Sequence, residues 1–372
     1  MADAESRRGS LENSRHSDCE TRDVRHNFNS YRVERIVDES FEVKSFYLKR
    51  ADGRLVENYL PGQHLMFKIP TGADGMTLRV YTLSDIYNSE TYRTSVKKEG
   101  PPIENPTLPA GEASNYLHNT LAVGDIIEAR GPLGDFTFDW ASKRPTTLIA
   151  GGIGITPILA ILKGILRDRP NQHIHLFLAF KTTRHQIFKN EIDHILKQHP
   201  QIICHLFFDE MSESELSHSP NSHARRIDLD VIARILPDLQ QSFYICGALP
   251  MMTSLVDRLK DAGISDQDIH TEVFRHSHEV ETQPIDTRHY EIHFTHTGKT
   301  ILWTGEHKNL LEFAKSHGIP LTAGCMTGSC GACSIEVEDG EVEYTHTTAH
   351  KPKDGHCLAC SCKPKSEMRI NA

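Results

Sequence analysis

Thr147-Leu-Ile-Ala-Gly151-Gly152-Ile153-Gly154-Ile155-Thr156-Pro157 passes from one apolar run through three glycines into a second apolar run. Glycine lets a backbone turn sharply and approach a ligand, and the first turn of a helix offers free N–H groups and a positive dipole end. The stretch predicts a strand, a turn that binds pyrophosphate, and a helix with Thr156 as its N-cap and Pro157 as its first residue. An ordinary strand-to-helix turn is the alternative, since glycines alone do not identify a ligand.

The sequence around and after this stretch alternates between strand and helix. Apolar strand-like runs occupy 147–150, 173–179, 202–208 and 243–246, and helix-like runs occupy 157–167, 187–197, 229–235 and 250–261. Such a series predicts a parallel sheet, in which ligands lie beyond the carboxyl ends of the strands. Cys246-Gly247 and Pro250-Met251 follow the last run in this way, so we expect Cys246 to face a bound nicotinamide. A small buried residue is the alternative interpretation of Cys246.

The sequence before residue 144 is typical of a different fold. Short β-rich runs at 31–37, 41–49, 64–69, 79–84, 92–97 and 126–130 are separated by glycine and proline turns. Several short strands with turn residues between them predict an antiparallel β-barrel. Residues 1–30 are polar with almost no apolar periodicity, which predicts a disordered tail.

Six of the nine cysteines crowd into one short stretch near the C-terminus. Cys325-Met-Thr-Gly-Ser-Cys330-Gly-Ala-Cys333 has the C-x₄-C-x₂-C spacing of plant-type [2Fe–2S] sites, whose cluster needs four thiolates. The candidates for the fourth ligand are Cys357, Cys360 and Cys362. A zinc site made of two C-x₂-C pairs is the alternative, but it leaves Cys325 and the glycines of the loop unexplained.

The composition excludes several classes of function. The chain of 372 residues has a formal net charge of −9, which gives no general attraction to nucleic acid or to an anionic membrane. No run reaches the roughly 18 apolar residues that suggest a membrane helix, and the N-terminus lacks the apolar core of a signal peptide. Clustered cysteines in such a chain indicate metal ligation rather than disulfides, so we expect a cytoplasmic protein.

The run Arg79-Val80-Tyr81-Thr82-Leu83-Ser84 has the side chains that suit a flavin. It offers a cation for phosphate, an aromatic ring for a flat cofactor and hydroxyl donors. Taken alone it is also an ordinary amphipathic strand. Taken in order with the other motifs it resembles the ferredoxin–NADP reductase superfamily, and the resemblance covers about 31 to the end of the chain. Arg79-x-Tyr81-Thr82 resembles the R-x-Y-[ST] flavin motif of that superfamily, with Thr82 in place of the commoner serine.

The resemblance implies further flavin-binding residues. Gly111-Glu-Ala113-Ser114 resembles the second flavin-phosphate motif of the superfamily, and Gly131-Pro-Leu-Gly134-Asp-Phe136 resembles the strand that follows. The stretches 81–85, 94–99 (with Val96 and Lys97) and 114–118 are similar to the FAD-binding half of flavohaemoglobins. These likenesses favour FAD, with FMN as the alternative.

The resemblance also implies the nucleotide-binding residues. Gly151 to Pro157 resembles the G-G-x-G-x-T-P turn of the superfamily, which implies roles for Gly151, Gly152, Gly154, Ile155, Thr156 and Pro157. Cys246-Gly247 resembles the C-G motif beside the nicotinamide. Glu272-Val-Phe274 resembles the E-x-F end of the domain, where the ring of Phe274 can lie against the flavin. Tyr81, Cys246 and Phe274 are therefore the implied catalytic residues.

Residues 289–372 resemble plant-type ferredoxins, in which the fourth ligand ends an apolar strand and is followed by x-x-x-Pro. Leu358-Ala-Cys360-Ser-Cys362-Lys-Pro364 fits this pattern with Cys360. The resemblance thus implies Cys325, Cys330, Cys333 and Cys360 as the ligands of a [2Fe–2S] cluster.

The predicted organisation is a multidomain chain. It comprises a disordered tail (1–30), a flavin-binding antiparallel β-barrel (31–143), an NAD(P)-binding α/β domain with a parallel sheet (144–275), a linker (276–288) and an α+β ferredoxin domain of the β-grasp type (289–372). Lys181, Arg184 and His185 follow the second strand of the α/β domain without an acid before Glu191, which favours NADPH over NADH.

This order implies a reductase that takes electrons from NADH or NADPH through a flavin to the cluster. A flavin is needed because nicotinamide gives two electrons at once and the cluster takes one at a time. The favoured acceptor is an oxygenase component of the Rieske type. The alternatives are a haem protein, a hybrid-cluster protein or a ferredoxin, and, in another class of function, a redox-sensing binding module.

Overall fold

The computed structural model of the protein describes most of the chain. The described residues are 28–71, 75–101, 106–107, 110–217, 221–274, 288–324, 326, 328, 331–345, 348 and 350–372. The predicted tail up to residue 27, the linker up to residue 287, and the predicted ligands Cys325 and Cys330 lie outside them. The predicted fold class is confirmed, because an antiparallel sheet, a parallel sheet and a small C-terminal sheet domain follow one another along the chain.

The first domain is a six-stranded antiparallel sheet in the order β4-β3-β6-β1-β2-β5. Its elements are β1 (Asn29–Ser40), β2 (Val43–Arg50), β3 (His64–Thr71), β4 (Gly75–Thr82), β5 (Tyr92–Lys97), α1 (Glu112–Asn119) and β6 (Ile126–Leu133). A bridge between Leu83 and Thr94 joins the two edges of the sheet and closes it. Asn29 already pairs with Ala129, so the ordered barrel begins before the end of the predicted tail.

The second domain is a six-stranded parallel sheet in the order β10-β9-β8-β7-β11-β12. Its elements are β7 (Thr146–Gly151), α2 (Ile155–Asp168), β8 (Ile174–Phe180), α3 (Lys189–Gln198), β9 (Ile202–Phe208), α4 (Glu213–Ser217), β10 (Ser222–His223), α5 (Leu229–Ile235), β11 (Ser242–Gly247), α6 (Leu249–Asp261) and β12 (Ile269–Val273). Nearly all of α2 is buried, because it packs on the sheet and also touches the barrel. Gly164 lies against Pro61 of the barrel, and a Cβ at Gly164 would be 2.8 Å from the Pro61 ring.

The third domain holds a five-stranded mixed sheet in the order β14-β13-β19-β15-β17 and a two-stranded sheet of β16 and β18. Its elements are β13 (Tyr290–Phe294), β14 (Lys299–Trp303), α7 (Leu310–Ser316), β15 (Ser334–Asp339), β16 (Val342–Tyr344), β17 (His356–Leu358), β18 (Cys362–Pro364) and β19 (Met368–Asn371). Trp303, Phe294 and Phe313 form its aromatic core. Asn309 caps α7 by accepting a hydrogen bond from the backbone N of Glu312 at 2.9 Å.

Among the helices that the structure describes, none combines the length and the apolar character needed to cross a membrane.

Candidate active site

The glycine-rich turn after β7 has the geometry of a ligand cradle. Gly152 has φ +53°, and no atom lies within 4 Å of the place where its Cβ would be, so its backbone faces open space. A Cβ at Gly154 would collide with the carbonyl O of Cys246. The turn therefore packs on the end of β11 through glycine alone and leaves its other side free for a pyrophosphate.

The start of α2 differs from the prediction. The helix begins at Ile155 with Gly154 as its N-cap, and a single 3₁₀ turn over Gly152–Gly154 leads into it. The Thr156 hydroxyl donates to the carbonyl O of Ile153 at 3.0 Å. Thr156 is thus the second helical residue and Pro157 the third, because the glycines tighten into helical conformation earlier than the threonine–proline signal indicates.

Thr82 is the predicted flavin residue whose side chain is most clearly available for a hydrogen bond to a ligand. In the β3–β4 pair, Thr82 lies opposite His64 and Tyr81 lies opposite Leu65. The Thr82 hydroxyl is buried and has no hydrogen-bond partner among the described residues. A buried hydroxyl without a partner costs about 1–3 kcal/mol, so a ligand atom that bonds to it fits this position. Burial raises the pKa of the neighbouring Tyr81 hydroxyl.

The other predicted flavin residues differ in how far their side chains are exposed. Arg79 and Lys97 are half-buried, whereas Ser114 is buried near the start of α1. Arg79 Nη1 donates to Thr77 Oγ1 at 2.6 Å, and Ser114 Oγ accepts from the backbone N of Glu99 at 3.1 Å. Val96 and Ala113 are buried in the barrel core.

Ser84 lies inside the barrel wall rather than on its surface. Its hydroxyl is 2.7 Å from the hydroxyl of Ser95, which is in turn 2.7 Å from that of Ser45. Ser84 is fully buried, and its hydroxyl is occupied by these protein groups. The structure therefore does not bring its side chain to the site with Thr82.

Two residues that were not predicted as site residues join the barrel to the nucleotide turn. His64 Nδ1 lies 3.6 Å from Glu272 Oε1, and the two side chains are only 2% and 6% exposed. Glu272 pairs with Cys246 across β11 and β12. Thr82, His64, Glu272, Cys246 and Gly154 thus form one continuous series of neighbours between the two predicted binding regions. Glu272 was visible within the E-x-F motif, whereas His64 gave no signal because its partner is distant in sequence.

Cys246 is fully buried at a closely packed end of the sheet, with Glu272 beside it. Burial, together with the charge of Glu272, raises the pKa of the Cys246 thiol well above its ordinary value. The half-buried ring of Phe274 packs against the apolar cluster that contains Cys246. Met251 packs against Gly151 and Gly247. A Cβ at Gly151 would lie 2.9 Å from the Met251 Sδ, and a Cβ at Gly247 would lie 2.6 Å from the Met251 methyl group. Pro250 is exposed in the first turn of α6.

A cavity of about 570 Å³ opens at the carboxyl ends of β8 and β9. It is lined by Thr182, Thr183, Arg184, Glu210, Met211, Ser212 and Glu215. Glu210 lies 3.9 Å from Lys181, and Glu215 accepts hydrogen bonds from the Ser212 backbone and the Thr183 hydroxyl. Hydrogen bonds, first of all from Ser212, lower the pKa of Glu215 to about 2. Glu210 follows β9 and Glu215 lies in α4, so acids from beyond β9 line this cavity together with Arg184 from the segment after β8.

The predicted cluster ligands that are described lie together. The Sγ atoms of Cys333 and Cys360 are 3.1 Å apart, and both cysteines are buried. The Cys357 thiol is the largest cause of a raised pKa at Cys362. The geometry supports Cys360 as the fourth ligand, because its Sγ lies beside that of Cys333.

The loop of the predicted cluster has the backbone that its glycines indicate. Gly328 and Gly331 have φ of +69° and +67°, a region that side chains with a Cβ rarely adopt. Close packing also requires glycine at both positions, since a Cβ at Gly328 would lie 2.5 Å from Thr348 and a Cβ at Gly331 would lie 2.6 Å from His350. The residues present fit a thiolate-bound cluster. Within the described residues no group of three or more His, Cys, Asp or Glu could hold a metal, and two of the predicted ligands lie outside them.

Three protein families match the chain in succession. Residues 31–138 match the oxidoreductase FAD-binding domain, residues 148–257 the oxidoreductase NAD-binding domain, and residues 294–365 the 2Fe–2S iron–sulfur cluster binding domain. These matches coincide with the barrel, the parallel-sheet domain and the C-terminal domain described above.

Among curated proteins, the chain resembles flavohemoproteins. It is 31% identical over 248 residues to the flavohemoprotein of Oceanobacillus iheyensis, a match that covers 66% of this chain and 59% of that protein. It is 32% identical over 249 residues to the flavohemoprotein of Bordetella pertussis, covering 66% of this chain and 60% of that protein. The chain therefore spans about 60% of the length of the curated relatives that it matches.

Among solved structures, one of the matches is the flavohem-like FAD/NAD binding domain of nitric oxide dioxygenase from Vibrio cholerae O1 biovar El Tor. It has a TM-score of 0.59 and 30% identity, and it covers 66% of this chain and 98% of that chain. Phthalate dioxygenase reductase, a modular structure for electron transfer from pyridine nucleotides to [2Fe–2S], has a TM-score of 0.59 and 19% identity, and covers 93% of this chain and 98% of that chain. The second likeness shows a common fold over nearly the whole chain.

The fold and the site define a flavin- and pyridine-nucleotide-binding protein with an iron–sulfur domain. The chain belongs to the ferredoxin–NADP reductase superfamily and is a flavoprotein of that superfamily with a C-terminal 2Fe–2S ferredoxin domain. The predicted cofactors FAD, [2Fe–2S] and NAD(P)H are confirmed by these matches.

Proposed function

We propose that this protein is an NAD(P)H-dependent reductase that passes electrons through FAD and a [2Fe–2S] cluster to a protein acceptor, with an oxygenase component of the Rieske type favoured. Each NAD(P)H releases two electrons and one proton, and so reduces two equivalents of a one-electron acceptor. When bound, the flavin supplies the conversion of one two-electron transfer into single-electron transfers.

The observation that supports this proposal best is the series of neighbours Thr82, His64, Glu272, Cys246 and Gly154. Through this series the predicted flavin strand is connected by His64, Glu272 and Cys246 to the turn that is predicted to bind the nucleotide. In this proposal Gly152 and the start of α2 hold the pyrophosphate, and the half-buried ring of Phe274 offers the apolar surface for the nicotinamide, whereas the thiol of Cys246 is fully buried. Exclusion of water there favours direct hydride transfer.

The cysteines of the ferredoxin domain allow a test that separates the two halves of the reaction. The purified protein should show the absorption of flavin and of a [2Fe–2S] cluster, release FAD on denaturation, and reduce cytochrome c with NADH or NADPH. In Cys330→Ser we expect loss of the cluster and of cytochrome c reduction, whereas ferricyanide reduction by the flavin is retained.

The matched control for that variant is Cys204→Ser, which changes a cysteine of β9 in the second domain and should leave both activities in place. Equal loss of ferricyanide and cytochrome c reduction in Cys330→Ser, with FAD still bound, would contradict this division of the reaction. A purified protein that takes up neither FAD nor iron would contradict the proposed function itself.

A haem protein is the second candidate for the acceptor, and a specific likeness favours it. The reductase portion is about 30% identical to flavohemoproteins, and an intact type IV self-sufficient cytochrome P450 monooxygenase matches 93% of the chain with a TM-score of 0.70. Turnover with a purified Rieske-type oxygenase component and with a P450-type haem protein, measured at equal concentrations, decides between them. The physiological acceptor is the one reduced with the higher kcat/KM.

A further inference from the structure

Asp135 and His350 connect the flavin-binding domain with the ferredoxin domain. Oδ2 of Asp135 lies 3.3 Å from Nδ1 of His350, across the boundary between the two domains. An ionised carboxylate can only accept a hydrogen bond, so Nδ1 carries the proton in this contact. Asp135 lies two residues after the end of β6, and His350 lies in the segment before β17.

On the ferredoxin side, His350 is fixed to the loop of the predicted cluster ligands. Its backbone N donates to the carbonyl O of Gly328 at 3.0 Å, and its own carbonyl accepts from Thr348 Oγ1 at 3.1 Å. Its ring lies against Gly331, where a Cβ would be 2.6 Å from Nε2. His350 is therefore attached to Gly328 and Gly331, two described residues of the segment that carries the predicted ligands.

On the flavin side, the residues next to Asp135 are fixed to the start of β3. The carbonyl O of Gly134 accepts from Gln63 Nε2 at 3.1 Å, and a Cβ at Gly134 would lie 2.8 Å from the His64 ring. His64 is the residue opposite Thr82 in the β3–β4 pair. Asp135 is therefore attached, through its immediate neighbour, to the part of the barrel where Thr82 adjoins the flavin.

We propose that the hydrogen bond between Asp135 and His350 is the docking contact that holds the ferredoxin domain against the flavin-binding domain for electron transfer from flavin to cluster. This inference rests on the proposed function and names two positioning residues for it. The two side chains are 67% and 33% exposed, so the contact is weak and screened by salt. A weak contact biases the domain toward the docked position without fixing it there.

The test uses the holoenzyme with FAD and cluster bound. In Asp135→Ala we expect the rate of cluster reduction after rapid mixing with NAD(P)H to fall about twofold to fivefold, as loss of an exposed pair implies. The rate of flavin reduction stays unchanged. The radius of gyration of the oxidised protein, measured by X-ray scattering, increases because the docked position is less populated. Asp135→Asn keeps an oxygen that accepts the hydrogen bond and should stay close to the unaltered protein.

Two controls make the result specific. Glu90→Ala removes another exposed acid from the same domain and should change neither the rate nor the radius of gyration. In a His350→Ala background, Asp135→Ala should add no further loss, since the contact is already absent.

Cluster reduction in Asp135→Ala at the rate of the unaltered protein, with the same radius of gyration, would overturn the inference. So would a loss that persists undiminished in the His350→Ala background. Failure of the unaltered protein to reduce its own cluster with NAD(P)H would instead count against the proposed function.

Discussion

The hydroxyl of Thr82 is the group of the barrel that we propose bonds to the flavin. It is buried, it has no partner among the described residues, and it lies at the end of β4 beside His64. Its place on the strand was evident from the sequence, because the R-x-Y-[ST] spacing sets it next to Tyr81. The sequence did not reveal that its hydroxyl lacks a partner among the described residues, since that depends on which side chains the barrel brings near it.

Thr82→Val keeps the shape of the side chain and removes the hydroxyl. Because a buried unpaired hydroxyl is unfavourable, we expect the FAD-free protein to be unchanged or stabilised by up to about 1 kcal/mol. Loss of the hydrogen bond to the cofactor should raise the Kd for FAD about fivefold to tenfold. Fluorescence titration with FAD and thermal unfolding measure these two quantities. Thr82→Ser is the control with near-normal affinity, and FAD affinity retained in the valine variant would contradict the assignment.

At the scale of elements, regular strands and helices were predictable and short or tertiary features were not. Apolar runs at 202–208 and 229–235 indicated β9 and α5 with their observed bounds, because both are buried elements of regular period. The short helix α1 was not predicted, because its sequence is mostly polar. Its buried side became evident only in the structure. The strands β16 and β18 have three residues each, too few for a pattern. The pair of His64 and Glu272 required the packing of two domains.

Three histidines, one on each of the neighbouring strands β8, β9 and β10, lie on one face of the parallel sheet and form a ladder: His175, His205 and His223. His205 stacks on Phe177 with ring centroids 5.4 Å apart, and its Nδ1 lies 3.3 Å from Nε2 of His223. Burial, with smaller contributions from His223 and His175, lowers the pKa of His205 to about 4. The folded sheet therefore holds His205 neutral in a range of pH where an unfolded chain would protonate it.

This depressed pKa makes the second domain less stable in acid. Between about pH 6.5 and pH 4 the unfolded chain binds the extra proton, so stability is complete above this range and is lost as the pH falls through it. His205→Phe should remove this contribution, on the order of 2 kcal/mol, and give a smaller drop in Tm between pH 7.5 and pH 5. His194→Gln, which changes an exposed histidine of α3, is the control. Identical pH profiles for His205→Phe and the unaltered protein would argue against the ladder as the cause.

At the scale of the whole molecule, a network of charged side chains joins the first two domains. Arg93 of β5 is only 5% exposed and lies 2.8 Å from Glu191 of α3, while Lys163 of α2 lies 2.9 Å from the same carboxylate and also bonds to Asp85. The ring of Phe188 lies 5.0 Å from the Arg93 guanidinium. Such a network of half-buried charges around the buried Arg93 holds the predicted flavin and nucleotide sites relative to each other, whereas the exposed contact between Asp135 and His350 permits adjustment.

Removing one partner from this network should loosen the two domains together. In Glu191→Ala the buried Arg93 keeps Asp85 at 3.6 Å but loses its closest carboxylate, so we expect a loss of about 2–3 kcal/mol and a Tm lower by about 5–10 °C. Asp193→Ala removes the neighbouring acid of the same helix, whose pair with Lys189 is exposed, and should cost less than about 0.5 kcal/mol. Thermal unfolding followed by FAD release and by cluster absorbance separates the effects, because the unfolding of the ferredoxin domain should not shift. If Glu191→Ala unfolds at the same temperature as Asp193→Ala, the network does not hold the domains together and the firm attachment must come from the apolar contacts of α2 with the barrel.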